Sequence, residues 1–557
     1  MLVRLIRNLA RVIANALRRL LRPAQYVQFT LSGEIPLLPA PRGGLLRRFL
    51  PTKLSLREIE QQLQAVAQDP RVKGVVLHLH PLKLPWAGRQ ALRAMIVRLR
   101  DAGKTVVAWA TAYDTARYHI ATACHRILLQ PGGRIEPLGL AQHYIFVADA
   151  LQRVGLAADF VQISPYKTAA DMLMRREMSE AAREMANWLV EDLYEQWVLD
   201  VAAARAMDPE AVRVAVDESP YTDEAAQNAG LIDELINEEA LPSALAPDRR
   251  PAKVAPFRQV RRMLVRPLLP LSPRAIGILR ICGDIIDGRS SRPPARPPFR
   301  IPLLLSERAG DLSVVDAARW ATKNRRIAAV VVYVDSGGGS ATSSEAMASA
   351  LQRLAEHKPV VVCMGAVAAS GGYYVATPGK WVVAQPGTIT GSIGVLSGKL
   401  VGAPLLAKLG IHDEWIDRGE GMSLQRGDDA YTDAEREIVW RGVRRTYDLF
   451  LERVAVGRGL AVDKVDAVGG GRVWTGRQAM ERGLVDALGG LHDALAKAKD
   501  LAGLHPRAAV RDIHVRGVGS GPVPSQTSDL LTYATEGLPM LRGGVPLCLC
   551  PLITLDD

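Results

Sequence analysis

The feature that most constrains this chain is that it is written twice. VKGVVLHLH at 72–80 aligns with IAAVVVYVD at 327–335, and AGKTVVAWATAY at 102–113 with EHKPVVVCMGAV at 356–367. HRILLQPGGRIEPLG at 125–139 matches KWVVAQPGTITGSIG at 380–394, YTDEAAQNAGLIDEL at 221–235 matches WTGRQAMERGLVDAL at 474–488, and SGEI at 32–35 answers CGDI at 282–285. The offset stays at about 250 to 255 residues in the same order, which marks a duplication. Within each copy, short β-branched runs alternate with helical stretches such as LREIEQQLQAVAQ (56–68) and SSEAMASALQRLAEH (343–357). That alternation predicts parallel strands joined by crossover helices, hence a tandem, duplicated α/β fold.

The expected organisation is a basic amphipathic helix at 1–22, a first repeat at 23–248, a linker at 249–272, a second repeat at 273–503 and an irregular tail at 504–557. A length of 557 residues with 48% apolar composition fits more than one core. The net charge of +12 points to anionic partners. Much of it lies in the first 22 residues, where Leu2, Leu5, Leu9, Val12, Ala16 and Leu20 recur at helical spacing. Arg4, Arg7, Arg11, Arg18 and Arg22 stand opposite, with Arg19 at the flank. This is the pattern of a helix lying in an anionic membrane surface, its arginines toward the headgroups. The alternative is a helix packed on a neighbouring domain. It is too interrupted to span, since a bilayer needs roughly 18 to 20 apolar residues. No cleavable signal segment precedes the fold, which favours the cytoplasmic face. Nucleic acid is disfavoured by the absence of zinc-finger or RNP-type motifs and an aromatic content of only 5%.

A duplication supplies its own control. Ser370, in AASGGYY, aligns with Thr115 in YDTARYH, and the glycine run DSGGGS (335–340) aligns with HPLKLP (80–85). The serine-bearing turn and the glycine run therefore occur once. A strand ending in glycines leaves backbone N–H groups free to meet an oxyanion, each worth roughly 3 to 4 kcal/mol in a transition state. A serine at a strand-to-helix turn, followed by Gly371 and Gly372, exposes its hydroxyl. A packing turn or a phosphate cradle would use the same residues. A serine needs a base, and none of the ten histidines stands in a motif with a carboxylate. The first repeat, however, carries Lys167 ahead of a helix, where the second has Glu420. Serine and lysine each occur in one copy, and in opposite copies, which suggests one composite site. The lysine, with an ordinary pKa of about 10.4, becomes a base only when burial lowers it.

These residues resemble the signal peptide peptidases of the SppA type, in their long tandem form, within the Ser/Lys peptidases related to the Clp and crotonase folds. The likeness covers about residues 25 to 503 and rests on MGAVAASGGYYVA, QPGTITGSIGV, YKTA and GRVWTGRQAMERGLVDALGG. It implies Ser370 as nucleophile, Lys167 as general base and Ser392 as the residue orienting the amine. Gly338, Gly339 and Gly371 would supply oxyanion donors. It further implies hydrolysis of apolar peptides, such as cleaved signal peptides, by a homotetramer at a bacterial inner membrane, where the amphipathic helix would make the attachment peripheral; no cofactor or metal is expected. Two departures stand out: Gly337 replaces the family's usual proline after Ser336, and the usual N-terminal membrane span is replaced by the amphipathic helix.

Other readings compete. A crotonase-type acyl-CoA enzyme would also use a glycine loop, but no paired carboxylates are placed for proton abstraction. A Clp-like Ser-His-Asp site is disfavoured by Ala384-Gln385-Pro386, which has no histidine before Gln-Pro. A membrane-surface scaffold that had lost activity would be expected to lack Ser370 or Lys167. The cysteines Cys124, Cys282, Cys363, Cys548 and Cys550 form no C-x-x-C pair, and the C-x-C at 548–550 reads as a weak metal or redox signal.

Overall fold

The computed structural model describes residues 2–39, 53–246, 250–293, 306–513, 545–551 and 554–556. It divides into two compact units: Met1–Ala141 with Val190–Pro273 and Leu555–Asp557, and Gln142–Leu189 with Arg274–Thr554.

The first unit is built on a seven-stranded sheet whose main order is Tyr221–Thr222, Arg126–Ile135, Thr105–Tyr113, Gly74–Lys83, Tyr26–Glu34 and Val254–Pro256. The long strands pair in parallel. Their runs Val75–Leu77 and Val106–Ala110 are wholly buried, as strands covered on both faces require. Helices Leu56–Ala67 and Trp86–Asp101 make the crossovers. The first begins at a capping box in which Ser55 and Glu58 satisfy each other's backbone N–H.

The N-terminal helix, Leu2–Leu20, also belongs to this unit, and it lies polar side in. Arg4, Asn8, Arg11, Asn15 and Arg18 donate to the carbonyls of Pro270, Leu269, Pro267, Arg266 and Arg262. The apolar stripe is left outward, with Leu9 64% and Leu20 80% exposed. The expectation that the arginines point at headgroups is corrected for Arg4, Arg11 and Arg18. Backbone carbonyls of 262–270 need donors, and these guanidinium groups provide them. Among the described residues no helix is long and apolar enough to cross a membrane.

The second unit repeats the sheet: Val473–Thr475, Ile389–Gly391, Val360–Ala369, Ile327–Ser336, Ala275–Cys282 and Ala509–Asp512. Both sheets end on a strand that lay outside the expected repeats. Val254–Pro256, within the expected linker, pairs with Tyr26–Gln28, and Ala509–Asp512, within the expected irregular tail, pairs with Ala275–Ile278. The tail is also ordered at Leu547–Leu549, a strand; its residues 514–544 lie outside the described residues.

Among the described residues a second, six-stranded sheet occurs in this unit alone, ordered Arg308–Gly310, Asp284–Ile286, Gly338–Ser340, Leu547–Leu549, Leu396–Val401 and Ala157–Gln162. Its last strand comes from the first repeat's sequence. Ala157–Gln162 runs antiparallel to Leu396–Val401 over six residue pairs, so the arm 142–189 folds with the second unit. The range 23–248 is therefore not one structural unit, because this strand finds its hydrogen-bonding edge elsewhere.

Candidate active site

Ser370 follows the strand Val360–Ala369 and opens the short helix Gly371–Tyr374. Its φ of 55° and ψ of −117° are a conformation that L-residues rarely adopt, at a cost on the order of 1 to 3 kcal/mol. The turn is held by two hydrogen bonds: Ser370 N–H to the Gly391 carbonyl, and Tyr374 N–H to the Ser370 carbonyl, both 2.8 Å. The strained turn has a consequence for the hydroxyl. Ser370 makes no side-chain cap to its helix, so Oγ is free to face Lys167.

Lys167 sits at the start of the turn Thr168–Ala170, on the arm that folds into this unit. Its Nζ donates to Ser370 Oγ at 2.7 Å, to Ser392 Oγ at 3.0 Å and to the Ser392 carbonyl at 2.9 Å. All three residues are fully buried. Burial pulls the lysine down to about 8, because the charged amine has lost its water. Ser392 has a φ of 50°, fixed by its N–H bond of 2.6 Å to the Arg472 carbonyl, which aims both its oxygens at the amine.

The three glycines named from the sequence converge. A β-carbon on Gly371 would lie 3.0 Å from Gly338 Cα and 3.2 Å from the Gly339 nitrogen. Gly338 and Gly339 take φ of 104° and 153°, which their position needs and other residues resist. Gly338 N–H is held by Ser336 Oγ at 3.1 Å, the Gly371 amide starts a helix without needing an intrahelical partner, and the Gly339 amide lies against both.

Two features were missed in the sequence. Gly471 and Gly394 form the wall against which the lysine lies: a β-carbon on Gly471 would meet Lys167 N and Cα at 2.7 Å, and one on Gly394 would meet its Cδ at 3.2 Å. The run Gly469-Gly470-Gly471 was the available signal. Cys548 and Cys550 also reach the site. Burial pushes both thiols up to about 11, opposed by Lys167 and by hydrogen bonds to Ser370 and Ser392 respectively. They are neutral thiols at neutral pH and place no charge beside the amine.

The chain is similar to known proteins along most of its length. The profile of peptidase family S49 matches residues 98–249 and again 352–505. A serine protease named SPPA, chloroplastic, from Arabidopsis thaliana is 30% identical over 550 residues, covering 94% of this chain and 78% of the relative. Protease 4 of Haemophilus influenzae is 28% identical over 88% of the chain and 79% of its own length. Protease 4 of Salmonella typhi is 27% identical over 81% and 72%. Matched in both repeats and along most of its length, the chain belongs to peptidase family S49, the serine peptidases of the SppA type.

Proposed function

We propose that the chain is an endopeptidase with a Ser370/Lys167 dyad, acting on apolar peptides at a membrane surface. The observation that carries this reading is a fully buried lysine amine, lowered toward neutrality, 2.7 Å from the hydroxyl of a serine held in a strained turn. Among the described residues no carboxylate pairs with that lysine. With the amine neutral, its hydrogen bond to Ser370 reverses, and Nζ takes the hydroxyl proton as Oγ attacks a peptide carbonyl. The amide N–H groups of Gly339 and Gly371 offer themselves to the oxygen that becomes negative, while that of Gly338 stays on Ser336 Oγ and holds the loop. The ammonium then returns its proton to the leaving amine, and water releases the acyl group by the same route. Ser392 holds Nζ on line in both steps.

The membrane part of the proposal is supported by the outward apolar stripe of the N-terminal helix and by the net charge of +12. The test is hydrolysis of a quenched peptide of leucine and alanine residues by the wild type, Ser370→Ala and Lys167→Ala, with flotation of each on anionic vesicles. Activity present only in the wild type supports the dyad, and equal flotation of all three supports a membrane contact separate from the chemistry. Undiminished hydrolysis by Ser370→Ala would remove the reading.

A further inference from the structure

The strand Leu547–Leu549 occupies a place that a peptide substrate would need. It lies between Gly338–Ser340 and Leu396–Val401, antiparallel to both, with Gly338 opposite Leu549, Gly339 opposite Cys548 and Ser340 opposite Leu547. The pairing continues past the strand ends, with Cys550 N–H donating to the Gly337 carbonyl at 2.8 Å and Ala341 N–H to the Pro546 carbonyl at 3.3 Å. The Cys548 carbonyl oxygen stands only 1.8 Å from where a β-carbon on Gly338 would be, and the Gly371 nitrogen lies 2.7 Å from that same point. A backbone carbonyl of the chain itself thus lies among the glycines that would receive a substrate carbonyl. The side chains complete the fit. Leu547 is buried among Phe160, Ala170 and Leu396, with Leu173 and Met174 at the edge, while Cys548 and Cys550 face Ser370, Ser392 and Lys167.

We infer that residues 545–551 are the resident ligand of the peptide-binding slot, an internal competitor that peptides must displace before reaching Ser370. This rests on the peptidase reading above. Backbone pairing along a sheet edge supplies affinity without sequence demands, and pockets for alternate side chains supply the preference. The bound segment therefore also states the preference: leucine-sized side chains where Leu547 sits, and small ones where Cys548 and Cys550 sit. Because the competitor belongs to the same chain, it competes with peptide as an intramolecular ligand rather than from free solution.

The experiment compares full-length wild type, Leu547→Glu and Cys548→Arg on the quenched leucine/alanine peptide, each with and without Ser370→Ala. A carboxylate or guanidinium cannot enter slots that are 1% and 0% exposed without a partner. Both variants are expected to raise kcat/KM at least about tenfold, and free VPLCLCP peptide should inhibit them competitively. A second readout needs no variant: maleimide labelling of Cys548 and Cys550 in the wild type, mapped by mass spectrometry, should quicken when the peptide is added in excess. Unchanged kcat/KM in both folded variants, or a labelling rate indifferent to peptide, would overturn the inference. If instead Leu547→Glu keeps its activity after Ser370→Ala, the peptidase assignment fails, and the labelling experiment still decides whether the segment competes with peptide.

Discussion

The two units place the same strand-to-helix turn at the same point of the same sheet and make opposite use of it. In the first, Asp114 caps the helix Thr115–Ala121 in relaxed extended geometry, its carboxylate accepting from Arg117 N–H. Thr115, the residue aligned with Ser370, spends its hydroxyl on the Gly139 carbonyl at 2.9 Å. Arg117 fills the space of a second-unit glycine and pairs with Asp114 and Glu136. In the second unit the turn is strained, the cap is absent, and the hydroxyl meets an amine. The neighbouring strand differs in step. Gly74–Lys83 runs on in its sheet to pair Lys83 with Glu34, whereas its counterpart leaves at Gly337 and enters a second sheet. At this turn one copy thus pairs Asp114, Thr115 and Arg117 locally, and the other directs its serine and lysine at a common point, as a reacting centre requires.

The contrast can be broken at several points. Ser370→Ala should abolish peptide hydrolysis, a loss of roughly 10⁴-fold or more in kcat, while Thr115→Ala leaves it unchanged; steady-state kinetics on both decides. Lys167→Met should cost activity on a similar scale and yet raise the melting temperature at pH 7. The sign follows from the lowered pKa: burial disfavours the charged amine, so the wild type carries a penalty below pH 8. That penalty is relieved as pH rises from about 8 to the unfolded value of about 10.4, and it is worth up to ~3 kcal/mol at pH 7. Thermal melts at pH 7 and pH 10 should show the gain and its shrinkage. Wild-type kcat/KM should rise with pH to a plateau with a midpoint near 8, since only the neutral amine accepts the proton. Gly471→Ala, strained at a φ of 91° and pressed on the Lys167 backbone, should lower kcat by about 10- to 100-fold with little change in KM. Ser392→Ala should act in the same direction by roughly tenfold, read as kcat against KM in the same assay.

Much of this was legible because a duplication exposes its own exceptions. Ser370, Lys167, Ser392 and the three glycines were each found as residues present in one copy only or as motif matches, and the structure gathers all six within one unit. What could not be read was non-local. Lys167 belongs to the first repeat by sequence and to the second unit by fold, because Ala157–Gln162 pairs with Leu396–Val401, far away along the chain, and no local periodicity records such a pairing. The tail strand is three residues long, too short to show alternation, so Cys548 and Cys550 read as stray cysteines. Two further strands were recoverable: Val254–Pro256 and Ala509–Asp512 lie at the repeat offset, and extending the alignment past the assumed boundaries would have found them. The polar side of the N-terminal helix misled because asparagines and arginines can serve carbonyls of their own chain as well as headgroups.

The most direct test of a single lysine-activated serine is labelling with a fluorophosphonate across pH, with the modified residue mapped by mass spectrometry. The site described here requires phosphonylation at Ser370, at a rate that climbs with pH to a midpoint near 8 and collapses in Lys167→Ala. Labelling at another serine, or an undiminished rate in Lys167→Ala, would contradict it.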